Sequence, residues 1–149
     1  MSIQPDAAVP GQGKVKLLGA PNRINQPLPP AVIVHGARDI AQALAPNLPV
    51  TLLSAPGAVL YAGCLWWRAL LARADYTGPS LLDCAVAPGR AVEALALGLP
   101  GLVLAPCPAW DEVAALAAQG GAMLLAHAPP ALDLAQKGAQ RRLKQWLAG

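Results

Sequence analysis

The chain has 149 residues, of which 55% are hydrophobic and 13% charged, with no Phe and a formal net charge of +3. A chain of this length closes one core without disulfide staples, and so apolar a composition must bury surface internally or against a partner. The basicity belongs to the ends: Lys14, Lys16 and Arg23 face only Asp6 in the first 30 residues, Lys137, Arg141, Arg142 and Lys144 face only Asp133 in the last 20, and residues 31–129 are net acidic, which argues against a nucleic-acid reader with a dense basic face.

Residues 1–30 hold Pro5, Pro10, Gly11, Gly13, Pro21, Pro27, Pro29 and Pro30 among polar side chains, a composition that predicts an extended or disordered arm. Its one apolar run, Val15-Lys16-Leu17-Leu18, is suited to a short edge strand or to lying along the surface of the domain. No basic segment leads into an uninterrupted apolar stretch, so a secretory signal is not expected. The three cysteines, Cys64, Cys84 and Cys107, have no metal-like spacing and fit reduced thiols in a cytoplasm.

Five short apolar runs follow, at Ala31–Val34, Val50–Leu53, Ser80–Asp83, Leu102–Leu104 and Ala122–Leu125, each continuing through a small or Pro-containing turn into an Ala/Leu-rich helical stretch. Runs that are continuously apolar instead of alternating are the mark of parallel strands buried by crossover helices. Helix boundaries are punctuated by proline. Pro46 ends the helix that begins at Ala37, and Pro56, Pro88, Pro108 and Pro130 stand where a first helical turn tolerates a missing N–H. Gly98, Gly120 and Gly121 are C-terminal stops, and the last helix breaks at Gly138 and resumes over 140–147, where its cations complement its own dipole. The stretch from Ala58 to Leu71 contains Arg68 and falls short of the roughly 20 apolar residues a bilayer requires, so it reads as a buried helix and no membrane partner is expected.

The fold class is α/β: residues 31–149 form a single domain, a three-layer α/β/α arrangement around a mostly parallel five-stranded sheet in flavodoxin-like or Rossmann-like order. The order 2-1-3-4-5 is the most economical, and an open fragment resembling part of a β/α barrel is the alternative.

Ligands of parallel sheets bind beyond the carboxyl ends of the strands, and both histidines and two of the cysteines fall there. Small residues at helix starts (Gly36, Gly57, Gly89), with Ser54, Arg38 and Arg90 beside them, suit a small anionic metabolite or phosphate. No GxGxxG or GxxxxGK[ST] pattern is present, so no cofactor is indicated. Cys107 before Pro108 is a candidate nucleophile with His35 or His127 as base. Ser54, a histidine and Asp83 match a triad in residue type only. His35, Asp83 and His127 come from three separate units without a local ligand pair, so no metal site is expected. The Leu60–Leu71 helix is apolar around most of its circumference, which points to a homo-oligomer or interaction scaffold contacting its partner through Trp66 or Trp67.

Overall fold

The apolar runs become strands because β-branched and leucine side chains packed on both faces fit a pleat with helical cover, and the intervening alanine-rich stretches have the propensity to supply that cover. The computed structural model describes residues 27–149, so most of the expected N-terminal arm, including Val15–Leu18, lies outside the described residues. In chain order the elements are β1 (Ala31–Val34), α1 (Ala37–Leu44), β2 (Thr51–Ser54), α2 (Ala58–Tyr61), α3 (Cys64–Arg73), β3 (Ser80–Asp83), α4 (Pro88–Ala96), β4 (Gly101–Val103), α5 (Trp110–Gly120), β5 (Met123–Leu125), β6 (Ala131–Asp133) and α6 (Ala139–Ala148). The α/β class and the parallel sheet are as expected. The sheet has six strands in place of five, in the order β5-β4-β3-β2-β1-β6, every neighbouring pair parallel.

That order differs from 2-1-3-4-5, and the reason lies in Pro130. The proline leads into β6, not into a helix: Leu132 is buried, and Ala131–Asp133 run in register with Ala31–Ile33. Proline is tolerated there because it precedes the first ladder residue of an edge strand. Only Pro88 among the four occupies a first helical turn; Pro56 and Pro108 stand in the turns before α2 and α5. The long second helix is divided as well, because Gly63 adopts φ +87°, a left-handed conformation that ends α2 and starts α3 afresh. In α6 the cations Arg141, Arg142 and Lys144 all precede the last turn, which carries none.

The helices form one layer. Ile40, Val59, Trp67, Ala94, Val113 and Leu143, from α1 to α6, share a single cluster with Val32, Leu52, Leu82, Leu102 and Leu132. The alternate strand positions point the other way, where Leu53, Leu81 and Val103 are buried against Ile33, Met123, Leu125, Ala131 and Leu28 with no helical side chain among them. A flat sheet would leave that second face in water, so its burial requires the sheet to curl upon itself.

The β5–β6 connection requires the same. Across a flat six-stranded sheet the two edges stand about 24 Å apart at a strand spacing of about 4.8 Å, and the chain must also return along the strand length. Residues 126–130 are the whole connection, and an extended chain advances at most about 3.6 Å per residue, or about 21 Å over this step. The sheet is therefore an open barrel, the sequential alternative of the β/α reading, with helices outside and a seam between β5 and β6. Thr51 Oγ1 donates to the Pro29 carbonyl at 2.8 Å, fixing the entering chain with Leu28 beneath the inner face.

Curvature this tight leaves no room for a side chain at Gly101, where a Cβ would run into the Ser80 carbonyl of the adjacent strand and stand 2.9 Å from Leu81 Cδ2. Gly101→Ala is expected to destabilise the fold by about 1–3 kcal/mol, the range for overpacked cores, read as a lower urea midpoint with an unchanged slope. Gly89, in the first turn of α4 with open space around it, provides the control. Gly89→Ala is expected to leave stability unchanged or raise it by up to about 1 kcal/mol.

Candidate functional site

Because all six strands are parallel, their carboxyl ends share one mouth. The side chains that meet there start from β1 and β6, the pair joined by the longest sequence separation in the sheet. His35 follows β1 and Asp133 ends β6, and His35 Nε2 stands 2.7 Å from Asp133 Oδ1. The same carboxylate oxygen accepts the Ala135 N–H at 2.9 Å. Burial alone would raise the Asp133 carboxyl, but the hydrogen bond from His35, the Ala135 N–H and the neighbouring imidazole outweigh it and hold the group below its ordinary value. An ionised carboxylate only accepts, so Nε2 carries the proton in this contact, and in the neutral imidazole Nδ1 is the acceptor. The imidazole is thereby oriented while remaining reachable, with 37% of its side chain exposed against 27% for Asp133.

Asp39 fixes the other end of the same residue. Its Oδ2 accepts the His35 backbone N–H at 2.8 Å, a bond from the third residue of α1 back to the residue before the N-cap, Gly36. Arg38 is exposed in that same first turn and has no ion-pair partner among the described residues. Gly36, just before the helix, has open space where a Cβ would stand.

The remaining sequence candidates separate. Ser54 is buried, accepts the Asp83 backbone N–H at 2.8 Å and donates to the Ala55 carbonyl at 3.3 Å, so its hydroxyl laces β2 to β3. Asp83 turns its carboxylate to the Ala85 N–H at 2.8 Å. Ser54 and Asp83 thus meet through backbone, and neither bonds a histidine among the described residues. Cys107 packs against the core, its carbonyl accepting the Trp110 N–H, and it makes no hydrogen bond to either imidazole among the described residues. Cys64 and Cys84 are buried and held protonated: burial pushes Cys84 up to about 12, with the Asp83 carboxylate adding to it, and raises Cys64 as well. His127 is exposed on the β5–β6 connection. Arg90 lies exposed along its own helix, its Nη1 2.9 Å from Glu93 Oε1, and Gly57 adopts φ +67° in the turn before α2. No group of three or more metal-ligating side chains occurs among the described residues.

Asp133 carried no expectation from sequence beyond its charge, because reading Pro130 as a helix start hid the strand that Asp133 ends. Had Ala131–Asp133 been counted as a sixth strand, its terminal carboxylate would have joined the polar strand ends. The loop after β3 holds a further feature without a sequence signal. Ala85 has φ +52°, a conformation that costs an L-residue about 1–2 kcal/mol, and it is clamped by the Asp83 carboxylate and by the Ala105 N–H donating to its carbonyl at 2.8 Å.

The two tryptophans of the interface expectation differ in burial. Trp67 is fully buried within its own chain and Trp66 packs against the same core, their rings 5.8 Å apart. Trp67 is therefore not free to anchor a partner, whereas Trp66 keeps part of its surface exposed. The exposed apolar side chains nearby are Leu60, Tyr61 and Leu65, with Val86 in the loop after β3. No helix among the described residues is long and apolar enough to cross a membrane. Comparison of the chain with protein-family models, with curated proteins and with solved structures finds no match.

The Asp133 carboxylate makes a pH prediction. A carboxyl held below its ordinary value contributes stability that is complete above the ordinary value of 3.8 and is lost as pH falls through the lowered folded value. Asp133→Asn is therefore expected to lower stability by about 0.5–1 kcal/mol near neutral pH, the scale of a part-exposed ion pair. Chemical denaturation at a series of pH values should show the difference between variant and parent narrowing as the parent carboxyl protonates.

Proposed function

We propose that the mouth of the open barrel binds a small anionic metabolite, such as a carboxylate or phosphate, and that His35, oriented by Asp133, exchanges a proton with it. The His35–Asp133 contact carries this reading. It joins the ends of two strands 98 residues apart in sequence, leaves an accessible imidazole nitrogen as a general base or, once protonated, an acid, and stands beside the uncapped start of α1. Arg38 and the first-turn amides of α1 supply the positive counterpart for the acidic group of the ligand. Asp39, Asp83 and Asp133 each accept a backbone N–H, which satisfies them without removing their charge, so the acidic group of the ligand belongs at Arg38 and the α1 amides. A cytoplasmic setting belongs to the proposal, supported by three free thiols, two of them buried.

The test is a thermal-shift panel of phosphorylated metabolites, nucleotides and small carboxylates against the full chain. A ligand at about 100 times its Kd adds about 2.7 kcal/mol of stability. The expected result is a saturable shift that Arg38→Ala removes and His35→Gln weakens, with both variants folded. The absence of any shift at millimolar concentrations overturns the proposal.

A second reading, self-association, is favoured by one observation. Leu60, Tyr61, Leu65 and Val86 are 56%, 72%, 62% and 73% exposed, and Leu60 comes close to the Val86 loop, since a Cβ at Gly57 would touch both Leu60 Cδ1 and Ala85 Cβ. A homodimer would bury this patch. Sedimentation of the Leu60→Ser/Leu65→Ser variant decides it: conversion of a dimer to a folded monomer supports the patch, and a parent that sediments as a monomer removes it.

A further inference from the structure

Each consecutive strand pair from β1 to β5 is joined through at least one helix, and the β5–β6 pair is joined by none. In its place lies an apolar groove of about 950 Å³. One wall is α5, through Ala114, Ala117 and Ala118, and the other is α6, through Trp146. The floor includes Leu124 and Leu132, which face the helices, together with Met123 and Leu125, which face the barrel interior. The groove therefore reaches into the seam itself.

Both strands of the seam have one neighbour only: β5 pairs with β4, and β6 pairs with β1. Their free edges bring unpaired backbone N–H and C=O groups to an apolar cleft, where such groups seek partners. An extended peptide answers both requirements, with backbone for the edges and alternate side chains for the walls. A small apolar ligand would answer only the second.

We propose that Val15–Leu18 of the same chain occupies this seam as an added strand. Leu28, Pro29 and Pro30 already form part of the groove, so the chain enters the described structure at the site it would fill. Nine residues lie between Leu18 and Leu28, and the ten Cα steps reach about 33 Å, so the run can reach back along the groove. Val15-Lys16-Leu17-Leu18 is the one run in the first 26 residues that carries leucines; the other apolar run, Ala7-Ala8-Val9, is smaller and ends at Pro10. A tether this short presents it at an effective concentration in the millimolar range, which disfavours the same segment from a second copy at ordinary protein concentrations.

The full chain carrying the photo-crosslinker p-benzoylphenylalanine at position 17, mixed in equal parts from ¹⁴N and ¹⁵N preparations, tests the proposal by mass spectrometry. Crosslinks to α5, β5, β6 or α6 within chains of one isotope are expected. Crosslinks to other elements, mixed-isotope crosslinks that report a second copy, or a yield no higher than from position 8 overturn it. Leu17→Asp in the full chain gives an independent reading by hydrogen exchange. Amides of Met123–Leu125 and Ala131–Asp133 are expected to exchange about tenfold faster than in the parent while β2 and β3 keep their protection, and unchanged rates at the seam overturn the proposal.

Discussion

The five-residue link between β5 and β6 is the constraint on which the rest of the architecture depends. Strands added one after another, each crossing over in the same direction, place every helix on one face. An open sheet built that way would leave its other face wet. The chain avoids this by making its last step too short for a flat sheet, so the two edges approach and the inner side chains cover one another. Gly101 is the local counterpart of that curvature: bringing β4 against the Ser80 carbonyl leaves space for hydrogen alone.

The same closure assembles the mouth. His35 and Asp133 belong to the first and last strands of the sequence, and they meet because β6 returns to pair with β1 in register Ala31 with Ala131. In the flavodoxin-like order no sixth strand flanks β1, and Asp133 would have lain on a helix. Strand order is therefore also site chemistry here, since one pairing decides which carboxylate orients the imidazole. Asp39 adds a local restraint through the His35 amide, so the ring is held both from its own helix and from the far end of the chain.

The strands of the first five units were legible because they are continuously apolar, and Ala31–Val34 and Ser80–Asp83 fall within the runs read from sequence. The sixth was not. Ala131-Leu132-Asp133 is three residues long, follows two prolines and consists of residues with good or neutral helix propensity, so only its pairing with β1 makes it a strand. Side-chain exposure was equally hidden. The sequence shows a helix apolar on most sides, but which of Trp66, Trp67, Leu60 and Leu65 faces outward depends on the break at Gly63, which rotates α3 relative to α2 and turns Trp67 into the core. His35 and the polar strand ends were found because position at a parallel strand terminus is a sequence property. Their partners were not, because a partner is a property of strand order.

An open seam also bears on the apolar composition. Helices cover the outer face and the sheet covers its inner face, so the apolar surface still unmatched within the described residues concentrates in two places, the groove beside β5 and β6 and the patch around Leu60. They differ in kind. The groove is walled by alanines that let a backbone approach closely and is bordered by unpaired strand edges, features that suit an extended segment of chain. The Leu60 patch stands on helical side chains beside the mouth and has no free edge, so it offers contact area without directional bonds. Backbone pairing along a seam fixes register, whereas an apolar patch fixes only proximity. Completion of the barrel is thus the more specific of the two demands, and the leucine-bearing run Val15–Leu18 lies within reach of it.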